Sequence, residues 1–323
     1  MKARGYTAPL EAMTECFFTP GNHDVDYPFC YGYGQTQFYP TDRMTDEDFE
    51  KVYADFGLKQ AYTRDENSFS YMYRLTDKIT LIALDTNRGN GTGIMAMETL
   101  SWLEKELEKA DEGTVFIGMT HQNLLSHFDE KSFTNNYTIL NNSPLKKLFA
   151  EYGVKLNLSG HIHTRHIYSE DEITEIATES MAVLPCNYGV LTVNSDSISY
   201  STQQTDEEGW AKNNGTDNEN ILNFNNYAKD FYMRSQSALG MSALEEAALS
   251  QYEKKLMADF FAELNIYYFS GTVDKYYNYL VETEGYKKWL EKGSGLWHYQ
   301  YITDRMAEGE KGISHNSLTI SID

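Results

Sequence analysis

The sequence predicts an α/β protein: a layered α/β domain over 1–203, followed by a small helical domain over 204–323. Up to about residue 203, short apolar runs alternate with segments of helical period, which is the pattern of strands covered by helices. Beyond it the strand-like runs give way to longer helical stretches dense in Phe and Tyr. Polar clusters of Asn, His and Asp also follow directly on apolar runs, where an α/β sheet opens its ligand crevice.

The elements follow in order. Residues 16–19, Cys-Phe-Phe-Thr, read as a buried strand entering a Gly/Asn turn. Thr45 can cap a helix running through Phe56, with Gly57 placed to end it. Residues 79–84 form an uninterrupted strand pattern, and 98–110 carry Leu100, Leu103 and Leu107 on one helical face. Residues 114–119 make the next strand, which stops at His121. Ser143 and Pro144 supply a cap and first-turn pair for a helix ending at Gly153. The strand 154–158 runs into Gly160-His161-Ile162-His163, and 173–176 and 190–200 have antiparallel strand character. In the second domain Ser242 and Glu245 have capping-box spacing before a long helix reaching towards Phe261. Further helices are predicted near 219–233 and 274–291, with the aromatic residues as packing.

Composition narrows the function. A formal charge of −21 opposes binding along a nucleic-acid backbone, yet leaves small phosphate esters open, because bound cations can invert the field inside a pocket. No run of 18 apolar residues suggests a membrane span. Three cysteines, Cys16, Cys30 and Cys186, show neither a disulfide framework nor thiolate metal spacing. No protein partner is implied.

Three pieces carry chemistry: Gly21-Asn22-His23-Asp24, His121, and the pair His161 and His163. Each follows an apolar run. At i, i+2 in extended backbone, the imidazoles of His161 and His163 point the same way. Imidazole and amide donors suit Mn, Fe or Zn rather than calcium. The glycines before Asn22 and His161 permit sharp turns. His23 is then free to act on a leaving group, with Asp24 available to fix its tautomer. Each signal alone has a structural explanation; the three together, in this order, are far more specific.

In that order, strand–GNHD, strand–H and strand–GHxH, the chain resembles the calcineurin-like metallophosphoesterases, and more closely the bacterial cyclic-nucleotide phosphodiesterases among them. The likeness extends through Pro40-Thr41-Asp42, Leu84-Asp85-Thr86 and the helical tail. The resemblance implies a layered metallophosphoesterase sandwich and two divalent metal ions, Mn, Fe or Zn. Asn22, His121 and His161 would hold one ion and His163 the other. His23, with Asp24, would be catalytic and assist departure of the leaving oxygen. The substrate implied is a cyclic nucleotide or a similar small phosphodiester. Gln122 stands where relatives carry a second histidine. His127, Arg165 and His166 read as supporting or surface residues, and His298 and His315 as structural. Location stays open: the resemblance implies export or cell-surface attachment, and a cytoplasmic place follows if no upstream signal exists.

The family pattern begins with D-x-H and G-D, and the first 20 residues contain neither Asp nor His. On the order of 60 residues, about two strand units, are therefore expected to be missing from the amino-terminal side. The donors that remain are neutral. Two dications ~4 Å apart repel by about 16 kcal/mol at an effective dielectric near 20, so at most one ion is expected to bind well, with activity impaired. Two alternatives stand beside the diesterase: a nucleotidase or phosphomonoesterase using the same centre, and a degenerate relative kept as a binding protein. Residues 27–34, rich in Tyr and Gly, are expected to form a rim over the pocket.

Overall fold

The computed structural model describes residues 13–26, 31–33, 38–89, 91–128, 137–296 and 298–322. Tyr27, Pro28, Phe29, Cys30 and Gly34 of the expected rim lie outside the described residues. The chain divides into two compact units. The first comprises Met1–His127, Asn135–His161 and Tyr168–Ile176; the second comprises Phe128–Thr134, Ile162–Ile167 and Ala177–Asp323.

The first unit starts with an antiparallel pair, β1 (Tyr31–Tyr33) and β2 (Phe38–Pro40). Helix α1 (Asp46–Tyr53) follows, capped as expected by Thr45, whose hydroxyl accepts from the Asp48 N–H while Asp48 accepts from the Thr45 N–H. It closes in a wide turn, Ala54–Leu58, where Gly57 has φ 107° and a side chain would collide with the Tyr71 hydroxyl. Then come β3 (Thr63–Arg64), β4 (Tyr71–Arg74), β5 (Ile79–Leu84), α2 (Met97–Leu107), β6 (Val115–Thr120), α3 (Asn142–Glu151), β7 (Leu156–Ser159), β8 (His166–Glu170) and β9 (Ile173–Ala177). Strands β3 to β9 form one sheet in the order β3-β4-β5-β6-β7-β9-β8. Its centre, β5-β6-β7, is parallel, and each crossover carries a helix.

Alternation along the strands explains why the sheet is buried on both faces. Met72, Ile82 and Leu84 join one core with Leu100, Leu103 and Leu107 of α2 and Leu145, Leu148 and Phe149 of α3. Their neighbours Tyr71 and Ala83 join another core with Phe49, Tyr53 and Phe56. Truncating a fully buried residue of this kind, such as Leu103, typically costs about 2–5 kcal/mol.

Two local expectations fail here. Residues 16–19 form no strand; they are half-buried and held by side chains. Tyr71 Oη donates to the Phe18 carbonyl at 2.9 Å and accepts from the Phe18 N–H at 3.1 Å, and Thr19 Oγ1 donates to the Leu84 carbonyl. Helix α3 begins at Asn142 rather than at Pro144, and Asn141 makes no side-chain cap because its amide bridges to the backbone of Met95.

The second unit contains an antiparallel sheet of β10 (Asn187–Val193), β11 (Ser197–Gln204) and β12 (Ser317–Ser321), in that order. Between β11 and β12 run α4 (Glu207–Asn213), α5 (Glu219–Leu222), α6 (Phe224–Ala243), α7 (Gln251–Phe269), α8 (Val273–Leu280), α9 (Glu284–Lys292) and α10 (His298–Glu310). Helix α7 is the hub: Met257, Phe260, Phe261, Leu264 and Tyr268 are buried with Trp289, Tyr301 and Ile302. The Trp289 indole donates to the Met257 carbonyl at 2.8 Å, which satisfies its polar atom inside the core. Tyr276 and Tyr279 remain exposed, so the aromatic stretch is core only in part.

The expected box at Ser242 and Glu245 is a correction. Ser242 lies near the end of α6, and the long helix is capped by Ser250, whose hydroxyl accepts from the Glu253 N–H. The same spacing occurs twice within a dozen residues, and the second copy precedes the core-facing run. Among the described residues, no helix is long and apolar enough to cross a membrane.

Candidate metal centre

Two neighbouring parallel strands and one turn of the first unit deliver three donors to a single point. Strand β6 ends at Thr120, so His121 is the first residue beyond the sheet, and β7 ends at Ser159, so Gly160 and His161 begin the adjacent loop. The Gly160 N–H donates to the His121 carbonyl at 3.1 Å and locks the two loops side by side. His121 Nε2 lies 3.0 Å from Asn22 Oδ1 and 3.1 Å from His161 Nδ1.

A ring nitrogen has either one proton or one lone pair, so hydrogen bonding alone does not satisfy both contacts equally well. A shared cation does. Separations of this size are what donors 2.0–2.1 Å from one ion span at roughly right angles. An amide oxygen and two imidazole nitrogens also suit Mn, Fe or Zn. The three residues therefore fit one divalent metal.

Backbone geometry builds the cradle. A Cβ on Gly21 would meet the His121 ring at 2.8 Å from Cε1, so only glycine lets the ring stand where it does. Gly21→Ala is expected to displace His121 and weaken metal binding by about 10–100-fold, with an unchanged circular dichroism spectrum. Calorimetric titration with Mn²⁺ checks this. An unaltered affinity would show that the close approach is incidental.

His161 and His163 have φ of 63° and 55°. Both are left-handed, which corrects the extended i, i+2 geometry expected for the pair. Such values cost of order 1–3 kcal/mol each in a non-glycine residue and collect at functional sites. His163 is exposed and belongs to the second unit.

His23 is exposed at the tip of its turn. The Asp24 carboxylate accepts from the Gly21 N–H at 2.7 Å and so braces the turn that presents Asn22. Although the Asp24 residue as a whole is exposed, its carboxylate end is tucked into the turn; this burial raises its pKa, opposed by the Gly21 bond and the charge of His23.

Several residues that position the centre carry no motif. Gln122 is fully buried; it donates to Asn87 Oδ1 at 2.6 Å and accepts from the Thr86 hydroxyl. Asn87 in turn donates to the Pro20 carbonyl at 3.3 Å, linking the loop after β5 to the Gly21 turn. Asp85 accepts from Phe69 N–H, Asn87 N–H and Arg88 Nε; burial raises its pKa, and Arg88 works against that. Glu175, fully buried on β9, accepts from the N–H groups of Leu124 and Leu125 at 2.8 and 2.6 Å, from Asn157 Nδ2 at 2.7 Å, and faces His127 Nε2 at 3.0 Å. His127 is thus a buried support rather than a surface residue. Arg165 is also buried; it donates to the Ser270 carbonyl and faces Glu179 at 3.5 Å. A partly legible signal existed for Asp85 and Asn87, which directly follow a strand; nothing local marks Glu175.

The family model described as calcineurin-like phosphoesterase matches residues 3–165, just over half of the chain. The chain belongs to the calcineurin-like phosphoesterase family. Membership carries the coarse statement that the chemistry is of the phosphoester-hydrolase class, and it leaves the ester open. A second family model, the C-terminal domain of cyclic nucleotide phosphodiesterase, matches residues 206–311 of this calcineurin-like chain.

No curated protein matches the chain. Among solved structures it is similar to the purple acid phosphatase PPD1 from yellow lupin (Lupinus luteus) seeds, at 17% identity and a TM-score of 0.35, covering 57% of this chain and 37% of that one. It is also similar to a candidate 5'-nucleotidase from Staphylococcus aureus crystallised with alpha-ketoglutarate, at 13% identity and a TM-score of 0.32, covering 62% of this chain and 38% of that one. The chain thus spans less than two-fifths of the length of these two structures.

Proposed function

We propose that this protein is a metal-dependent phosphodiesterase acting on cyclic nucleotides or similar small phosphodiesters. The observation that carries the reading is the meeting of Asn22 Oδ1, His121 Nε2 and His161 Nδ1 at the end of a sheet whose family hydrolyses phosphoesters. The match of residues 206–311 to the C-terminal domain of cyclic nucleotide phosphodiesterase favours a cyclic diester over a monoester. The matching segments also support a catalytic domain over 1–203 and an accessory domain over 204–323.

Asn22, His121 and His161 would hold one divalent ion, and His163 would serve a second. A bound ion supplies Lewis acidity that offsets charge developing on the phosphoryl oxygens. His23, at the exposed tip of its turn, reaches outward to give a proton to the departing ester oxygen. Asp24 keeps that turn closed through Gly21. The three converging donors are neutral, so they leave the charge of a bound dication unbalanced.

The test is hydrolysis by the full chain with added Mn²⁺ of bis-(4-nitrophenyl) phosphate, 4-nitrophenyl phosphate and 3',5'-cyclic AMP. Cleavage of the bis-aryl and cyclic esters in preference to the monoester is expected. Preference for the monoester would move the assignment to a phosphomonoesterase. Metal binding with no turnover of any ester would leave a binding protein.

A further inference from the structure

The second unit holds another cluster of metal-ligand side chains, sharing no residue with the centre above. His166 opens β8, Glu308 lies in the last turn of α10, and His315 sits in the loop before β12. His166 Nε2 is 2.5 Å from Glu308 Oε1, and His315 Nε2 is 3.2 Å from the same oxygen. One ligand atom from each of the three falls within 4.8 Å of the others, and the two rings stack with centroids 4.0 Å apart.

Two polar atoms are left over at this place. The His315 side chain is only 6% exposed, yet its Nε2 has no hydrogen-bond partner, the approach to Glu308 being out of line for one. Asp274 Oδ1, in the first turn of α8, is likewise buried and unpartnered. Both residues line, with His166 and Glu308, a cavity of about 10 Å³, room for a single small ion or water. Orphaned buried polar atoms are rare, and two facing one cavity point to an occupant.

We propose that His166, Asp274, Glu308 and His315 form a site for one divalent transition-metal ion, best suited to zinc, which ties β8, α8, α10 and the chain before β12 together. Two imidazoles and two carboxylates are a four-coordinate donor set of the kind zinc accepts. Unlike the neutral donors of the first centre, this set carries two negative charges that balance a dication. Burial by itself would raise the pKa of Glu308, but the neighbouring His166 and His315 imidazoles hold it well below the usual carboxylate range, so the anion is ready.

One cost is visible. The Ile167 N–H donates to His315 Nδ1 at 2.9 Å, which leaves the proton of the neutral ring on Nε2. Cation uptake at Nε2 moves that proton to Nδ1, with loss of the Ile167 bond.

The experiment uses the full chain carrying Asn22→Ala and His121→Ala, so that the first centre is silent, titrated with Co²⁺ as a spectroscopic stand-in for zinc. One Co²⁺ per chain with the intense visible absorption of a four-coordinate ion is expected, displaced by Zn²⁺. Adding Glu308→Gln or His315→Ala should weaken binding by more than about 100-fold while circular dichroism remains unchanged. Should either variant fail to fold, Asp274→Asn, in a partly exposed turn, makes the same comparison. No bound Co²⁺ in the first background, or binding indifferent to these substitutions, overturns the proposal.

Discussion

His121→Ala should weaken Mn²⁺ binding at the Asn22, His121 and His161 centre by more than about 100-fold, a larger loss than removal of an outer supporting group causes. The reason is geometric. Both short contacts of the centre are made to His121 Nε2, so it is the hub rather than one of three equal donors. Without it an amide and one imidazole remain, both neutral and both open to water competition. The ring stands just beyond the end of β6, so its removal leaves the strand register with β5 and β7 intact. Calorimetry on a chain carrying Glu308→Gln isolates this centre from the cluster in the second unit. An affinity within threefold of the parent would mean that the convergence of donors serves packing instead.

The second large effect concerns stability. Glu175→Ala is expected to cost about 3–5 kcal/mol, the upper range for breaking a buried hydrogen-bond network. Here the loss strands more than one group. The N–H donors of Leu124 and Leu125, the Asn157 amide and His127 all face the Glu175 carboxylate inside a region closed to water. Glu175→Gln should fall between the two, since it keeps one acceptor oxygen but turns an amide N–H₂ towards other donors. Urea unfolding measures both variants. A loss under about 1 kcal/mol for the alanine would show that water or neighbouring groups replace the carboxylate. Because the held segment begins directly after His121, metal affinity should decline along with stability.

What the sequence discloses here depends on whether a signal is local. Strands β5, β6 and β7 were legible because parallel strands buried on both faces read as unbroken apolar runs. The three donors were legible because each directly follows such a run or a glycine turn. The segment at 16–19 looks identical in composition to a strand, but the Phe18 backbone meets the Tyr71 hydroxyl and the Phe56 carbonyl, and the Thr19 hydroxyl donates to the Leu84 carbonyl, in place of a ladder. The Ser250 cap was obscured by an equally good pattern at Ser242, and only packing on the α7 face separates them. Glu175 could not be found at all: a lone acid in Ile-Thr-Glu-Ile-Ala looks solvent-facing, and its partners arrive from a loop some fifty positions earlier. His315 read as structural for a similar reason, since Glu308 and His166 reach it only through the tertiary fold.

The return of β12 to β11 also has a bearing on biogenesis. Ile198 pairs with Ile320, so seven helices must be threaded between two partners that meet edge to edge. Closing so long a loop is slow, and until it happens the outer backbone groups of β11 stand open. During synthesis this edge waits until β12 has left the ribosome, which makes the newborn second unit a natural client for chaperones.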